Sequence, residues 1–248
     1  MSIQHMPPVG WLLLTVNLFG AALASDAVPW PSEASSELWD KVEQLIGILH
    51  TETGFAQLSP GVGAALREVP RPRFIPERDR EAAFDNRPVP IGYGQTISQP
   101  LIVAVMTELL AIRPGDKVFE LGTGSGYQAA VLAALGAHVY SVEIIPELAT
   151  RARVTLDELG YDGVRIKVGD GYFGWPDEAP FDAIVVTAAN DHIPPPLIQQ
   201  LRPGGRMVIP VGDRYTTQKL VIVERDADGT IQLHELMPVT FVPLTGAR

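Results

Sequence analysis

The chain has 248 residues, of which 46% are apolar and 19% charged, a balance that supports a packed core and excludes wholesale disorder. A net charge of −10 excludes the basic face that phosphate neutralisation requires, so no nucleic-acid partner is expected. Cysteine is absent, which removes disulfides, thiolate metal ligands and a cysteine nucleophile.

Residues 1–25 carry no Asp, Glu, Lys or Arg. Within them Trp11–Ala24 is one apolar run, too short for the roughly 30 Å hydrocarbon core of a bilayer, so no stable membrane span is expected. The run ends in Ala22-Leu23-Ala24, a small-x-small site suited to signal peptidase, although no basic residue precedes it. Residues 1–24 are therefore expected to be a cleaved signal peptide and the mature protein to be periplasmic or secreted; the alternative is a cytoplasmic protein with an extra apolar segment. Residues 25–35 read as a flexible Pro/Ser-rich joint, and residues 36–248 as a single domain.

Leu38, Val42, Leu45, Ile46 and Leu49 share one helical face. Val69–Pro76 is Pro-rich and expected to be extended. Beyond Pro100, the buried-strand patterns Lys117–Leu121, His138–Glu143, Val164–Val168, Ala183–Thr187 and Arg206–Val211 alternate with helical stripes. One such stripe holds Ile145, Leu148, Ala149, Ala152, Leu156 and Leu159. This alternation predicts an α/β fold with a mostly parallel, doubly wound sheet. Lys219–Arg225 and Ile231–Val242 add a C-terminal hairpin closed near Asp228-Gly229, and the first helix is an N-terminal extension.

Lys117–Ala133 (KVFELGTGSGYQAAVLA) reads as a strand, a loop built on Gly122, Gly124 and Gly126, and a helix, which lets a ligand approach the backbone at a helix N-terminus. Tyr127 stands where a dinucleotide fingerprint would place its third glycine, and no Gly-Lys-Ser/Thr follows. Thr123–Tyr127 is also out of register for a nucleophile elbow.

Glu120 immediately precedes the loop, where a pyrophosphate would be repelled and a cationic ligand favoured. Glu143 ends the next strand, placed to accept from both ribose hydroxyls, and Asp170 follows the third strand, within reach of an adenine amino group. Each acid alone could cap a helix or sit at a solvated strand end. Together around one glycine loop they point to S-adenosylmethionine. Thr187, Ala188 and Ala189 follow a strand at the same sheet edge; residues this small leave room for a peptide backbone or for close helix–strand packing. His5, His50, His138, His192 and His234 are scattered, and no metal site is expected.

PIGYGQTISQP (Pro90–Pro100), followed by FELGTGSGYQAAVLA, GDGYFGWPDEAPFDAIVVTAA, LIQQLRPGGRMVIPVG and FVPLTG, resembles the protein-L-isoaspartate(D-aspartate) O-methyltransferase family across about residues 65–246. The resemblance implies a Rossmann-like S-adenosylmethionine-dependent methyltransferase fold. It also implies methylation of the free α-carboxylate of L-isoaspartyl residues, with D-aspartyl residues as a second acceptor, in damaged proteins and peptides. Ser98 would be the active-site serine that orients the acceptor; its place before Gln99-Pro100 and an amphipathic run also suits a helix cap. Gln95, Thr96, Ile97, Thr123, Ile144, Gly171 and Thr245 would line the cofactor pocket. The carboxylate acceptor, with a pKa of about 3.5, is ionised at neutral pH and needs no general base. The chain departs from the family pattern at Thr240, where many members carry Arg. A monomer is expected. The rival readings are a methyltransferase of another carboxylate or small molecule, and a cofactor-binding protein without catalysis.

Overall fold

The computed structural model describes residues 32–213 and 217–246. The expected signal peptide and residues 25–31 of the expected joint lie outside these. Helix α1 (Glu33–Ile48) begins where the Ser32 hydroxyl accepts from the Ser35 N–H at 3.2 Å, so residues 33–35 form its first turn. Its stripe of Leu38, Val42 and Ile46 is buried, with Leu45 and Leu49 half-buried against the same core. Two further helices, α2 (His50–Thr53) and α3 (Pro60–Glu68), follow.

The extended reading of Val69–Pro76 holds only in part. Extended geometry survives at Val69 and Ile75, each of which precedes a proline, but Arg71–Phe74 is a 3₁₀ turn. Pro72, with its fixed φ, suits the start of such a turn. A second 3₁₀ segment spans Glu77–Phe84. Strands β1 (Val89–Gly92) and β2 (Gln95–Ile97) then pair antiparallel around Tyr93-Gly94. Both turn residues have positive φ, 54° and 72°, as a type I′ turn requires.

The rest alternates as the sequence predicts: α4 (Pro100–Leu109), β3 (Lys117–Leu121), α5 (Tyr127–Ala134), β4 (His138–Glu143), α6 (Pro146–Glu158), β5 (Val164–Val168), β6 (Phe181–Val186), α7 (Pro195–Gln200) and β7 (Leu201–Val211). The hairpin follows as β8 (Gln218–Arg225) and β9 (Ile231–Val239). Its turn is closed by Asp226 N–H to Thr230 O at 2.8 Å, with Gly229 at φ 90°. The sheet order is β5-β4-β3-β6-β7-β8-β9, parallel from β5 to β7 and antiparallel beyond. Strand residues alternate between two cores. Val118, Val139 and Val185 face helices α1 and α3 to α6, while Phe119, Ile184 and Met207 face α7.

From β3 the chain winds outward through β4 and β5, then returns to pair β6 on the other side of β3. The carboxyl ends of β3 and β6 thus flank the point where strand order reverses, and a doubly wound sheet opens its binding crevice there.

Candidate active site

Gly122, directly after β3, has φ 94°, and a Cβ on it would lie 2.5 Å from the Thr187 hydroxyl. That hydroxyl reaches back from the end of β6 to the carbonyls of Leu121 (2.9 Å) and Gly122 (2.7 Å). Glycine is therefore required both for the turn and for joining the two strand ends. Gly126, expected at the cofactor, does not line the cavity. It is the N-cap of α5 at φ 89°, and a Cβ there would meet Ala152 and Leu156 of α6 at 3.2 Å, so its task is to let α6 pack against the loop.

The acids at the strand ends play three different parts. Glu143 lines the cavity; its Oε2 accepts from the Gly124 N–H at 2.8 Å and its Oε1 from the Ile145 N–H at 2.9 Å. Each oxygen keeps a second acceptor direction, which suits a vicinal diol. Glu120 is fully buried and does not line the cavity. Its Oε2 accepts from the hydroxyl of Ser141, its register partner on β4, and Ser141 Oγ in turn lies 2.5 Å from Thr123 Oγ1. Burial pushes the Glu120 carboxyl up to about 8; the Ser141 hydrogen bond opposes this and the charge of Glu143 adds to it. The expected carboxylate beside the ligand instead lies one layer behind Thr123, because Glu120 stops one residue short of the end of β3 and faces Ser141 rather than the cavity. Asp170 caps the 3₁₀ turn Gly171–Phe173 by accepting from the Tyr172 N–H at 3.0 Å. It lies behind the lining residue Gly171, so close to Gly246 that a side chain there would collide with it.

The other expected cofactor residues come together. Gln95, Thr96, Ile97, Gly122, Thr123, Gly124, Glu143, Ile144, Gly171 and Thr245 line one cavity with Ser98, Thr187 and Ala188. Sequence reasoning missed Val103 and Met106 of α4, Ser125, Tyr127, Gln128, Ile145 and the stretch Val242–Leu244. The residues on α4 and α5 face the cavity from buried helix sides, where their pattern is that of ordinary core. Among the described residues Glu143 is the only charged side chain in this lining, a poor match for a pyrophosphate and a good one for an uncharged or cationic nucleoside.

A second cavity shares Thr96, Ser98, Thr187 and Val242 with the first. It extends past Gln99, Ile102, Gln218 and Met237 to Thr240, and none of its described lining residues is charged. Ser98 therefore stands in the wall between two compartments. The cap reading of Ser98 does not hold. Gln99 is the N-cap of α4 and its side chain makes no capping bond, while Asn86 Oδ1 accepts from the Leu101 N–H at 3.0 Å. Ala189, expected at the substrate, is buried and lines neither cavity. Its N–H donates to Val242 O at 2.9 Å and its carbonyl accepts from the Leu244 N–H at 2.7 Å, so it straps the segment after β9 over the first cavity.

Over residues 40–248 the chain matches the family described as Protein-L-isoaspartate(D-aspartate) O-methyltransferase. It is 54% identical over 211 residues to protein-L-isoaspartate O-methyltransferase 2 of Polaromonas sp., covering 85% of this chain and 100% of the relative. The corresponding protein of Syntrophobacter fumaroxidans is 51% identical over 237 residues, covering 96% of this chain and 95% of the relative. A solved structure of a protein-L-isoaspartate O-methyltransferase superposes with a TM-score of 0.72 at 25% identity, covering 84% of this chain and 66% of that one.

Proposed function

The chain belongs to the protein-L-isoaspartate(D-aspartate) O-methyltransferase family, and from that premise we infer that it is a protein-repair methyltransferase acting on the free α-carboxylate of L-isoaspartyl residues. The observation that carries this reading is the wall at Ser98, which separates a cavity with a glycine loop and one acid from a second cavity without charge. S-adenosylmethionine, held in the first, supplies a methyl group already activated on a sulfonium. Glu143 is placed to hold the ribose, and the backbone of Gly122–Gly124 lets the nucleoside approach closely. The acceptor enters from the second cavity as a carboxylate, so no side chain has to take a proton. Its oxygen forms the bond to the methyl carbon as the carbon–sulfur bond breaks. What the protein contributes is in-line placement at about 3 Å and exclusion of water. Ser98 donates to the carboxylate and fixes its direction. The ester product then recloses to a succinimide, whose hydrolysis restores part of the normal linkage; D-aspartyl residues are a second acceptor.

The deciding measurement is transfer from labelled S-adenosylmethionine to a matched pair of peptides, one isoaspartyl and one aspartyl. Base-labile label on the isoaspartyl peptide alone is expected. Equal labelling of both, or label on neither, removes the assignment.

We further propose that residues 1–24 are a cleaved leader and that the mature chain works as a monomer in the periplasm or outside the cell. The apolar run ending in Ala22-Leu23-Ala24 supports the leader, and no helix among the described residues is long and apolar enough to cross a membrane. N-terminal sequencing and light scattering on protein recovered from cells test both.

A further inference from the structure

Arg71 is 1% exposed, yet its hydrogen bonds go to main-chain carbonyls rather than to a carboxylate. Nε donates to Ala83 O at 3.1 Å and Nη2 to Ser98 O at 2.8 Å. Among the described residues Nη1 meets no donor–acceptor partner at hydrogen-bond geometry, and the guanidinium lies over the Tyr127 ring, 5.0 Å from its centroid, where its charge also acts on the Tyr127 hydroxyl. Burial lowers its pKa to about 10, so the charge persists at neutral pH. Burying a cation on these terms is costly, and an apolar side chain of the same volume would fill the space at less expense. What the guanidinium adds is a link between the segment at Ser98 and the start of α5, which meet at the site. Ser98 lies in the wall between the cavities, and Tyr127 opens α5 and lines the first of them. Arg71 itself lines neither cavity.

We propose that Arg71 is a positioning residue for methyl transfer: one arm of its guanidinium holds the Ser98 carbonyl while the group sits over the Tyr127 ring, which fixes the acceptor-orienting serine against the start of α5. This rests on the methyltransferase reading above. The planar fork is what allows both contacts at once, and an ammonium cannot reproduce it. Loss of the fork lets Ser98 shift while the walls of the cofactor cavity that come from β3, β4 and the glycine loop stay in place.

The test compares wild type, Arg71→Lys, Ser98→Ala and the double variant. Readouts are S-adenosylhomocysteine affinity by calorimetry, kcat and KM for an isoaspartyl peptide, and Tm to confirm folding. Ser98→Ala is expected to lower kcat by about 10- to 1000-fold and Arg71→Lys by about 10- to 100-fold, with product affinity in both within about threefold of wild type. The double variant is expected to be no slower than Ser98→Ala, because displacing a residue that has already lost its hydroxyl removes nothing more. Arg71→Gln, which retains a donor without charge, takes the place of Arg71→Lys should the latter not fold. Wild-type turnover in the folded Arg71 variant, additive losses in the double variant, or a fall in product affinity that matches the fall in kcat would each overturn the assignment. A wild-type protein that leaves the isoaspartyl peptide unlabelled overturns the activity itself, and this role with it.

Discussion

Glu120 and Glu143 lie near the carboxyl ends of adjacent parallel strands, and their sequence contexts, FELG and SVEI, give no hint that they differ. The difference is set by tertiary position. Glu120 faces Ser141 across the register and is sealed in, whereas Glu143 is the last residue of β4 and meets the cavity. A proton on Glu120 has a thermodynamic consequence. The unfolded carboxyl titrates near 4.5 and the folded one near 8, so between those values the folded chain holds the extra proton. Stability contributed by that proton is fully present below the lower value and is lost as pH rises to the upper one, at most about 1.4 kcal/mol per pH unit. Glu120→Gln is expected to flatten this slope and to be the more stable protein near pH 8. Urea unfolding at several pH values between about 5 and 8 reads it directly, and a variant with the wild-type slope would mean that Glu120 is ionised in the fold. Strand-end acids could be picked out from sequence; which of them meets the cavity could not, because that depends on where each strand stops and on what its residues face across the register.

At the level of elements, periodicity found α1 and the strands β3 to β9 within a few residues, since period-2 and period-3.6 patterns are local. It missed the β1–β2 hairpin, whose strands are too short to show alternation, and it missed the 3₁₀ turn that carries Arg71, where three prolines masked a compact segment. It ran β9 on to Val242, whereas the strand stops at Val239 and the following residues cross to the site. Gln218 governs that crossing. Its Oε1 accepts from the Phe241 N–H at 2.6 Å and its Nε2 donates to Phe241 O at 3.2 Å. Gln218→Ala removes both, at about 1 kcal/mol net apiece. Product affinity is expected to weaken by about 5- to 30-fold, with a modest drop in Tm. Calorimetry with S-adenosylhomocysteine checks this, and unchanged affinity would show that the bridge to Ala189 is sufficient alone.

Taken whole, the molecule sets a net charge of −10 around an acceptor cavity with no charged lining among its described residues. The segment before Ser25 carries no Asp, Glu, Lys or Arg, so the side-chain charge lies entirely in the rest of the chain. Among the described residues no lining charge meets the flanking charges of a substrate, which are left to the long-range field, and that field is screened over about 10 Å at 0.1 M salt. A lysine-flanked isoaspartyl peptide is expected to show a KM several-fold below that of its glutamate-flanked counterpart at low ionic strength. The gap should close near about 0.5 M salt; steady-state kinetics across a salt series measure it, and a gap that persists would point to a direct contact. The strap from Val242 to Thr245 has a consequence of another kind. The cofactor chamber draws its walls from residues as far apart as Gln95 and Thr245, so a nascent chain must extend past the whole sheet before the chamber exists. A chain cut between Val239 and Val242 would hold every strand of the sheet and still lack one wall of the chamber.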